Sequence, residues 1–232
     1  MQNRLKDILF PRRCVICDTA LTLREAGICS KCIPGVRYVN EPVCTVCGRP
    51  LPEPVEYCDE CKYTGHIFKA GRFPLSYEYI SKSVYKFKYM NRPEYAGFYA
   101  DAVCKKLSGF IEAISPDGLV PVPLHKKRLI KRGYNQAEVL AHEISLRTGV
   151  PVYPDIAQRI KNTVPQKKFA RRERRLNVKK AFIVRENGVK LSKVIVIDDI
   201  FTTGSTIDAL SYELKKAGAG DIYFITITAA GT

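Results

Sequence analysis

Two adjacent carboxylates, Asp198 and Asp199, follow the apolar run Val194, Ile195, Val196, Ile197 and precede hydroxyl residues Thr202, Thr203, Ser205 and Thr206 set around Gly204. The apolar run reads as a buried central strand, so the acids emerge at its carboxyl end, where open parallel sheets bind ligands. The hydroxyl-rich turn feeds the amino end of the next helix, whose unpaired N–H groups and positive dipole favour an anion. Gly204 allows close backbone approach and the hydroxyls add donors, which is the chemistry of a monophosphate cradle. Acids facing that phosphate would repel it. They are expected to face hydroxyls farther along the same ligand, or a cation held there. A phosphate at one end and a diol beyond it describe ribose 5-phosphate; the bland alternative is a Thr/Ser helix cap beside an exposed acidic turn.

A second constellation is made of cysteines. Eight of the nine fall into CxxC pairs: Cys14/Cys17, Cys29/Cys32, Cys44/Cys47 and Cys58/Cys61. Two thiolates two residues apart grip one ion from a tight turn, and two such turns close a tetrahedral zinc site with Zn–S near about 2.3 Å. Eight ligands make two structural sites. Disulfides would need an oxidising compartment that nothing here supports, and a redox pair would not recur four times. Consecutive pairing, the first four cysteines and then the last four, makes each half a small hairpin of its own and is preferred to an interleaved cross-brace. The ninth, Cys104, lies among Tyr99, Val103, Leu107, Phe110 and Ile114 at helical spacing and is expected to be a buried core thiol.

The 232 residues carry a formal charge of +15, unevenly spread. Residues 126–180 hold sixteen Lys or Arg against four acids. Two four-thiolate zinc sites would bring the total to about +11. Such a segment attracts phosphates, of nucleic acid or of a small molecule, unless it is a solvated face kept for solubility. Eight Tyr or Phe between residues 77 and 99 are interleaved with Lys82, Lys86, Lys88 and Arg92. Base stacking is one use of that mixture, and core packing at helical spacing is the preferred one. The apolar runs are too short for a membrane span, and the first residues do not form a signal peptide, so a cytoplasmic protein without membrane insertion is expected.

These groups need a scaffold. Residues 1–65, rich in Cys, Pro and Gly, read as a double zinc ribbon in which metal replaces a core. Residues 66–232 read as an α/β domain: an extended piece at 72–77, helices at 80–89 and 94–114, and a strand at 118–123 that ends in a proline-marked loop. Basic helical turns follow at 125–133, then an amphipathic helix capped by Asn135. Strands are expected at 150–153, 157–160, 181–184, 193–197 and 222–229, with a helix at 205–217 stopped by Gly218. Residues 161–175 lack an apolar stripe and read as an arm or loop. The alternation implies a parallel central sheet flanked by helices on both faces.

Residues 194–206 resemble the signature of type I phosphoribosyltransferases, which bind 5-phosphoribosyl 1-diphosphate (PRPP) with magnesium. The resemblance implies that Asp198 and Asp199 contact the ribose hydroxyls and that Thr202, Thr203, Gly204, Ser205 and Thr206 hold the 5-phosphate. Over nearly its full length the chain is also similar to the ComF family of competence proteins. The similarity rests on the paired cysteines, residues 86–89, PVPLHKKRLIKRGYNQ at 121–136, Gln166, ERRLNV at 173–178 with Ala181 and Phe182, and the PRPP loop. It implies a phosphoribosyltransferase fold behind the ribbons. Lys126, Lys127 and Arg128 would then sit where the superfamily holds diphosphate. Arg132, Asn135 and Gln136 match an RGxNQ element that packs the loop or touches ligand, and residues 161–175 would form a hood over PRPP.

Two functions follow from the resemblance. One is phosphoribosyl transfer to an unidentified amine or base, with Asp198 and Asp199 as catalytic residues. The other is non-catalytic binding of single-stranded DNA, with PRPP as a regulatory ligand and Lys167, Lys168, Arg171, Arg172, Arg174 and Arg175 as the nucleic-acid contacts. Either implies a place in DNA uptake during natural transformation beside other DNA-uptake proteins.

Overall fold

The computed structural model describes residues 12–161, 181–185 and 191–230. Its centre is a parallel sheet in the order β1, β6, β5, β2, made of β1 (Ala70–Arg72), β2 (Gly118–Pro121), β5 (Lys193–Phe201) and β6 (Asp221–Ala229). Val152, expected in a strand, contributes a single parallel bridge to Leu119 at the outer edge of β2. The other two strands, β3 (Ala157–Arg159) and β4 (Phe182–Val184), pair with each other antiparallel and stand outside the main sheet.

Helices cover both faces, and side-chain alternation along β5 shows how. Ile195 and Ile197 enter one apolar cluster with Leu119, Ile225 and Ile227, packed on α2 (Tyr77–Tyr89), α3 (Tyr95–Ile114) and α5 (Gln136–Thr148). Val194 and Val196 enter the other, with Val120, Ile222, Phe224 and the apolar side of α6 (Ser205–Lys216), namely Ile207, Leu210 and Leu214. This is the period of two that a strand buried on both faces requires. Two shorter α-helices, α1 (Asp59–Tyr63) in the cysteine-rich part and α4 (Lys126–Arg132) after β2, and one 3-10 turn at Ile33–Gly35 complete the described helices. Asn135 caps α5 as its type predicts, Oδ1 accepting from the Ala137 amide at 3.2 Å.

The cysteine-rich part is an internal repeat. Cys14 N donates to Thr19 O at 2.8 Å and Asp18 N to Cys14 O at 2.9 Å; Cys44 N donates to Arg49 O at 2.8 Å and Gly48 N to Cys44 O at 2.9 Å. Asp18 and Gly48 both take the left-handed conformation, φ 64° and 74°, at the same step of the turn. The two halves have different anchorages. Val15 joins the core of the α2/α3 face, and Cys44 and Cys47 join the core of the α6 face.

Three expectations are corrected. Cys104 is only half-buried, on the flank of α3 and not in its core stripe, which runs through Tyr99, Val103, Leu107 and Ile111. Strand β5 continues past Ile197 to Phe201, so both acids lie within it, Asp198 opposite Thr226. The aromatic stretch divides: Phe87, Tyr95, Phe98 and Tyr99 are core, whereas Tyr85 and Tyr89 are exposed on the outer side of α2.

The approach of β1 to β6 depends on a missing side chain. A Cβ on Gly71 would lie 2.0 Å from Phe224 Cε1, and that ring is stacked on Phe201 at 4.7 Å between centroids. Gly71→Ala is therefore expected to destabilise the chain by about 1–3 kcal/mol, the cost of overpacking a filled core. A lowered urea midpoint at unchanged metal content checks it.

Candidate functional site

The carboxyl end of β5 gathers groups from five segments. Because adjacent residues of a strand point to opposite faces, Asp198 and Asp199 part company at the sheet. Asp199 turns to the α2 face, where Lys88 Nζ meets its Oδ1 at 2.8 Å with both side chains mostly buried. Asp198 accepts from the Asp199 amide at 2.8 Å, on the side where Arg159 of β3 contributes positive charge. Burial first, and the Asp199 charge second, push the Asp198 carboxyl up to about 7; the Asp199 amide, Lys88 and Arg159 pull the other way. A bound cation, or groups that donate hydrogen bonds to the carboxylate, would favour the ionised form of Asp198.

Beyond Phe201 the chain turns sharply into α6. Gly204 precedes the helix at φ 74°. An added Cβ would lie 3.0 Å from His66 Cε1, so position 204 is closed to a side chain by both conformation and space. Thr203 and Ser205 hydroxyls share a hydrogen bond of 2.8 Å, and the first amides of α6 face the same turn. Residues 202–206 form a tight turn just beyond the end of β5.

The neighbouring rim comes from β2. Its parallel pairing with β5 brings the loop after Pro121 to the same end of the sheet, and α4 starts there with His125 as cap, Nδ1 accepting from the Lys127 amide at 3.2 Å. Lys126 and Lys127 are exposed and Arg128 is half-buried. Burial, then Arg132, lower the Arg128 guanidinium from its ordinary value. Arg132, Asn135 and Gln136 act as braces. Asn135 Nδ2 donates to Val122 O at 3.2 Å, and Arg132 Nη1 to Gln136 Oε1 at 2.9 Å. Gln136 Nε2 and the Tyr134 hydroxyl both reach Phe87 O. They fix the last turn of α2, which carries Lys88.

Lys88 is the site residue that sequence reasoning left unassigned. Its signal was present, a lysine in a lysine–aromatic stretch, but nothing local says that this lysine turns inward to an acid 111 positions away while Lys86 turns to Asp18 at 3.0 Å. Lys167, Lys168, Arg171, Arg172, Arg174 and Arg175, with Gln166, residues 173–178 and the proposed hood beyond Lys161, lie outside the described residues.

The cysteines form two clusters by consecutive pairing: Cys14, Cys17, Cys29 and Cys32, then Cys44, Cys47, Cys58 and Cys61, with the sulfurs of each within 4.8 Å of one another. Cys17 to Cys29 and Cys47 to Cys58 both measure 3.7 Å between sulfurs. That is the edge of a tetrahedron with Zn–S of about 2.3 Å. Burial and the charges of Cys44 and Cys58 push the Cys47 thiol up to about 12, against the lowering effect of the Arg49 amide. Four thiolates so close are stable only around a cation, and the donor set fits zinc.

Two outcomes are expected. The purified chain should release two equivalents of zinc per molecule to a chromophoric chelator once its thiols are blocked, and one equivalent in Cys61→Ser. In the folded state Asp198 keeps a proton up to about pH 7, against an ordinary value of 3.8, so the folded chain binds more protons than the unfolded one across that interval. Stability must then fall as pH rises through it. Asp198→Asn removes this loss, and its urea stability relative to the parent should climb from pH 4 to 7 by about 1–4 kcal/mol and then level off.

Comparison with known proteins adds lineage to this geometry. The double zinc ribbon domain family matches residues 5–62. Competence protein F of Haemophilus influenzae is 30% identical over 224 residues, covering 92% of this chain and 95% of that protein. DNA utilization protein YhgH of Salmonella typhimurium is 28% identical over 218 residues, 91% and 94% of the two chains. Competence protein ComFC of Bacillus subtilis is 25% identical over 236 residues, 92% and 93%. Among solved structures, an adenine phosphoribosyltransferase superposes with a TM-score of 0.42 and 16% identity, covering 62% of this chain and 74% of that one. Two four-cysteine zinc sites in a double ribbon, a parallel α/β sheet behind them, and 30% identity along almost the whole length of a competence protein place this chain in the ComF family.

Proposed function

We propose that the chain binds PRPP with magnesium at the carboxyl end of β5 and serves the uptake of DNA. The observation that carries the reading is one continuous segment in which an acid pair lies near the carboxyl end of a buried parallel strand and Gly204, left-handed and packed under His66, opens α6 just beyond it. The 5-phosphate would rest on residues 202–206, and the ribose hydroxyls on Asp198 and Asp199. Lys126, Lys127 and Arg128 would face the diphosphate, with Lys88 released from Asp199 toward the ligand's negative charge. Magnesium would supply charge neutralisation of the diphosphate. The protein's own contribution is position and field: the acids favour positive charge on the ribose as its bond to diphosphate breaks, so transfer to an amine or ring nitrogen is the chemistry this arrangement can support. The names of the relatives, competence and DNA utilization proteins, support the DNA-handling role. We also propose a division near residue 65 between a ribbon module and the α/β module.

A second reading has its own observation. Tyr85 and Tyr89 are exposed with ring centroids 5.0 Å apart, and the Arg132 guanidinium lies 4.8 Å over Tyr89. Flat rings and a cation at the basic end of α4 suit the bases and phosphates of single-stranded DNA, with the Lys167–Arg175 cations as further phosphate contacts.

Titration calorimetry of the zinc-loaded chain with PRPP and magnesium tests the first reading. Saturable one-site binding is expected, weakened at least tenfold in Asp198→Asn/Asp199→Asn; heats unchanged by that double substitution would sink it. For the second, affinity for a single-stranded oligonucleotide should fall steeply with salt and drop about tenfold or more in Tyr85→Ala/Tyr89→Ala, each lost base stack being worth about 1–3 kcal/mol.

A further inference from the structure

The turn at residues 202–206 is held from outside the sheet at both of its ends. On one side stands Arg49, two residues past the zinc ligand Cys47. Its carbonyl accepts from Cys44 N at 2.8 Å, so its backbone belongs to the metal-binding knuckle. Its side chain crosses to the α/β part, where Nη2 donates to the carbonyl of Thr202 and the guanidinium lies 5.6 Å from the centre of the Phe201 ring. The knuckle has no room to drift. Gly71 N donates to Val46 O at 2.8 Å and Arg72 Nη1 to Thr45 O at 3.0 Å, and a Cβ on Gly48 would lie 2.6 Å from Gly71 O. On the other side, His66 Nδ1 pairs with Asp208 Oδ2 at 2.8 Å and Ile67 N donates to Asp208 Oδ1 at 2.9 Å, pinning the first turn of α6.

The repeat makes this contact specific to one ribbon. In the first knuckle the position of Arg49 is held by Thr19, and its neighbour Asp18 faces Lys86, Arg92 and Tyr95 at the α2/α3 junction. In the second, Gly48 yields space to β1, and Arg49 reaches the turn beyond β5. A four-thiolate knuckle keeps its fold only with metal bound, whereas the Thr202 carbonyl can be held by Arg49 only while the knuckle keeps its fold.

We infer that Arg49 is a positioning residue through which zinc at Cys44, Cys47, Cys58 and Cys61 sets the geometry of the turn at 202–206, so that this zinc and a phosphate-bearing ligand bind cooperatively. The coupling is reciprocal: zinc in the second site tightens the ligand, and the ligand retards loss of that zinc. The ligand half of the inference rests on the PRPP reading above; the linkage between Arg49 and the turn does not.

The test uses the full chain with two zinc ions bound. Hydrogen exchange at residues 202–206, measured by mass spectrometry without ligand, is expected to accelerate about tenfold in Arg49→Ala. The same should hold in Arg49→Met, which keeps an apolar stem against Phe201 and removes only the donors. Arg49→Lys should restore part of the protection, and Asp18→Asn in the first knuckle should leave exchange unchanged. Zinc extraction by a chelating dye is then followed with and without PRPP and magnesium: one of the two zinc ions should leave at least fivefold more slowly with ligand in the parent chain, and equally fast with or without it in Arg49→Met. Unchanged exchange at 202–206 in both Arg49→Ala and Arg49→Met, or equal acceleration in Asp18→Asn, overturns the inference whatever PRPP does. Protection that responds to Arg49 in a chain that binds no PRPP overturns the ligand reading and leaves the linkage standing.

Discussion

Strand β5 has to be apolar on both faces along its first half and still deliver charge at its end. A strand with neighbours on both sides has its backbone groups paired by β2 and β6, so its position is fixed by hydrogen bonds that do not depend on side chains. Its side chains can then change character abruptly. Val194 to Ile197 are fully buried, and the next two residues are carboxylic acids. The cost of drawing two acids toward a low-dielectric interior is reduced by sending them to opposite faces and by two cations, Lys88, which pairs with Asp199 and also acts on Asp198, and Arg159, whose field reaches Asp198. The braces around Phe87 O serve this arrangement, because Lys88 can hold Asp199 only if the last turn of α2 stays where Tyr134 and Gln136 hold it.

Much of this was legible in the residues because its signals are local. CxxC spacing is a geometric demand of one metal ion, so the eight ligands were readable from spacing alone; their consecutive grouping was the preferred of two arrangements, and the sulfur positions decide for it. The change from an apolar run to acids, hydroxyls and a glycine marks a strand, a turn and a helix start within thirteen residues. Asn135 caps its helix as its type predicts, and Gly204 takes a left-handed backbone that suits glycine. What stayed hidden was long-range or a matter of facing. An apolar run gives no reason to stop or continue where the acids begin, so β5 was expected to end at Ile197, and the pairing of Asp198 with Thr226 decided otherwise. Cys104 fell between two stripes of α3, and its helical spacing alone could not say which flank it occupied. Lys86 and Lys88 look alike in a row of aromatics, yet on a helix two positions apart they diverge by about 200° and reach different partners.

The two ribbons show how a repeat can be put to two uses. Their turns have the same hydrogen bonds and the same left-handed residue, so the metal-binding geometry fixes most of the backbone. Selection of a function is left to the few side chains that the turn does not use. In the first knuckle that residue is Asp18, whose carboxylate gathers Lys86, Arg92 and Tyr95 and so attaches the ribbon to the helices that carry Lys88. In the second it is a glycine, which lets the knuckle press against Gly71 of β1, and the freed contact passes to Arg49. One ribbon thus reaches the acids through α2, and the other reaches the turn beyond them directly.

Charge gives the same division of labour on a larger scale. The strongly basic segment begins at Lys126, on the rim beside the acids, and not in the ribbons, whose thiolates carry negative charge once metal is bound. The exposed pair Tyr85 and Tyr89, with Arg132 next to it, lies on this rim, while the turn at 202–206 is closed by His66 over Gly204. Arg132 belongs to both surfaces, since one of its nitrogens holds Gln136 and another reaches Tyr89. Gln136 in turn reaches the Phe87 carbonyl, next to Lys88, which holds Asp199. The outer aromatic surface and the acid pair are therefore joined by a short chain of hydrogen bonds and one ion pair within one rim of the sheet.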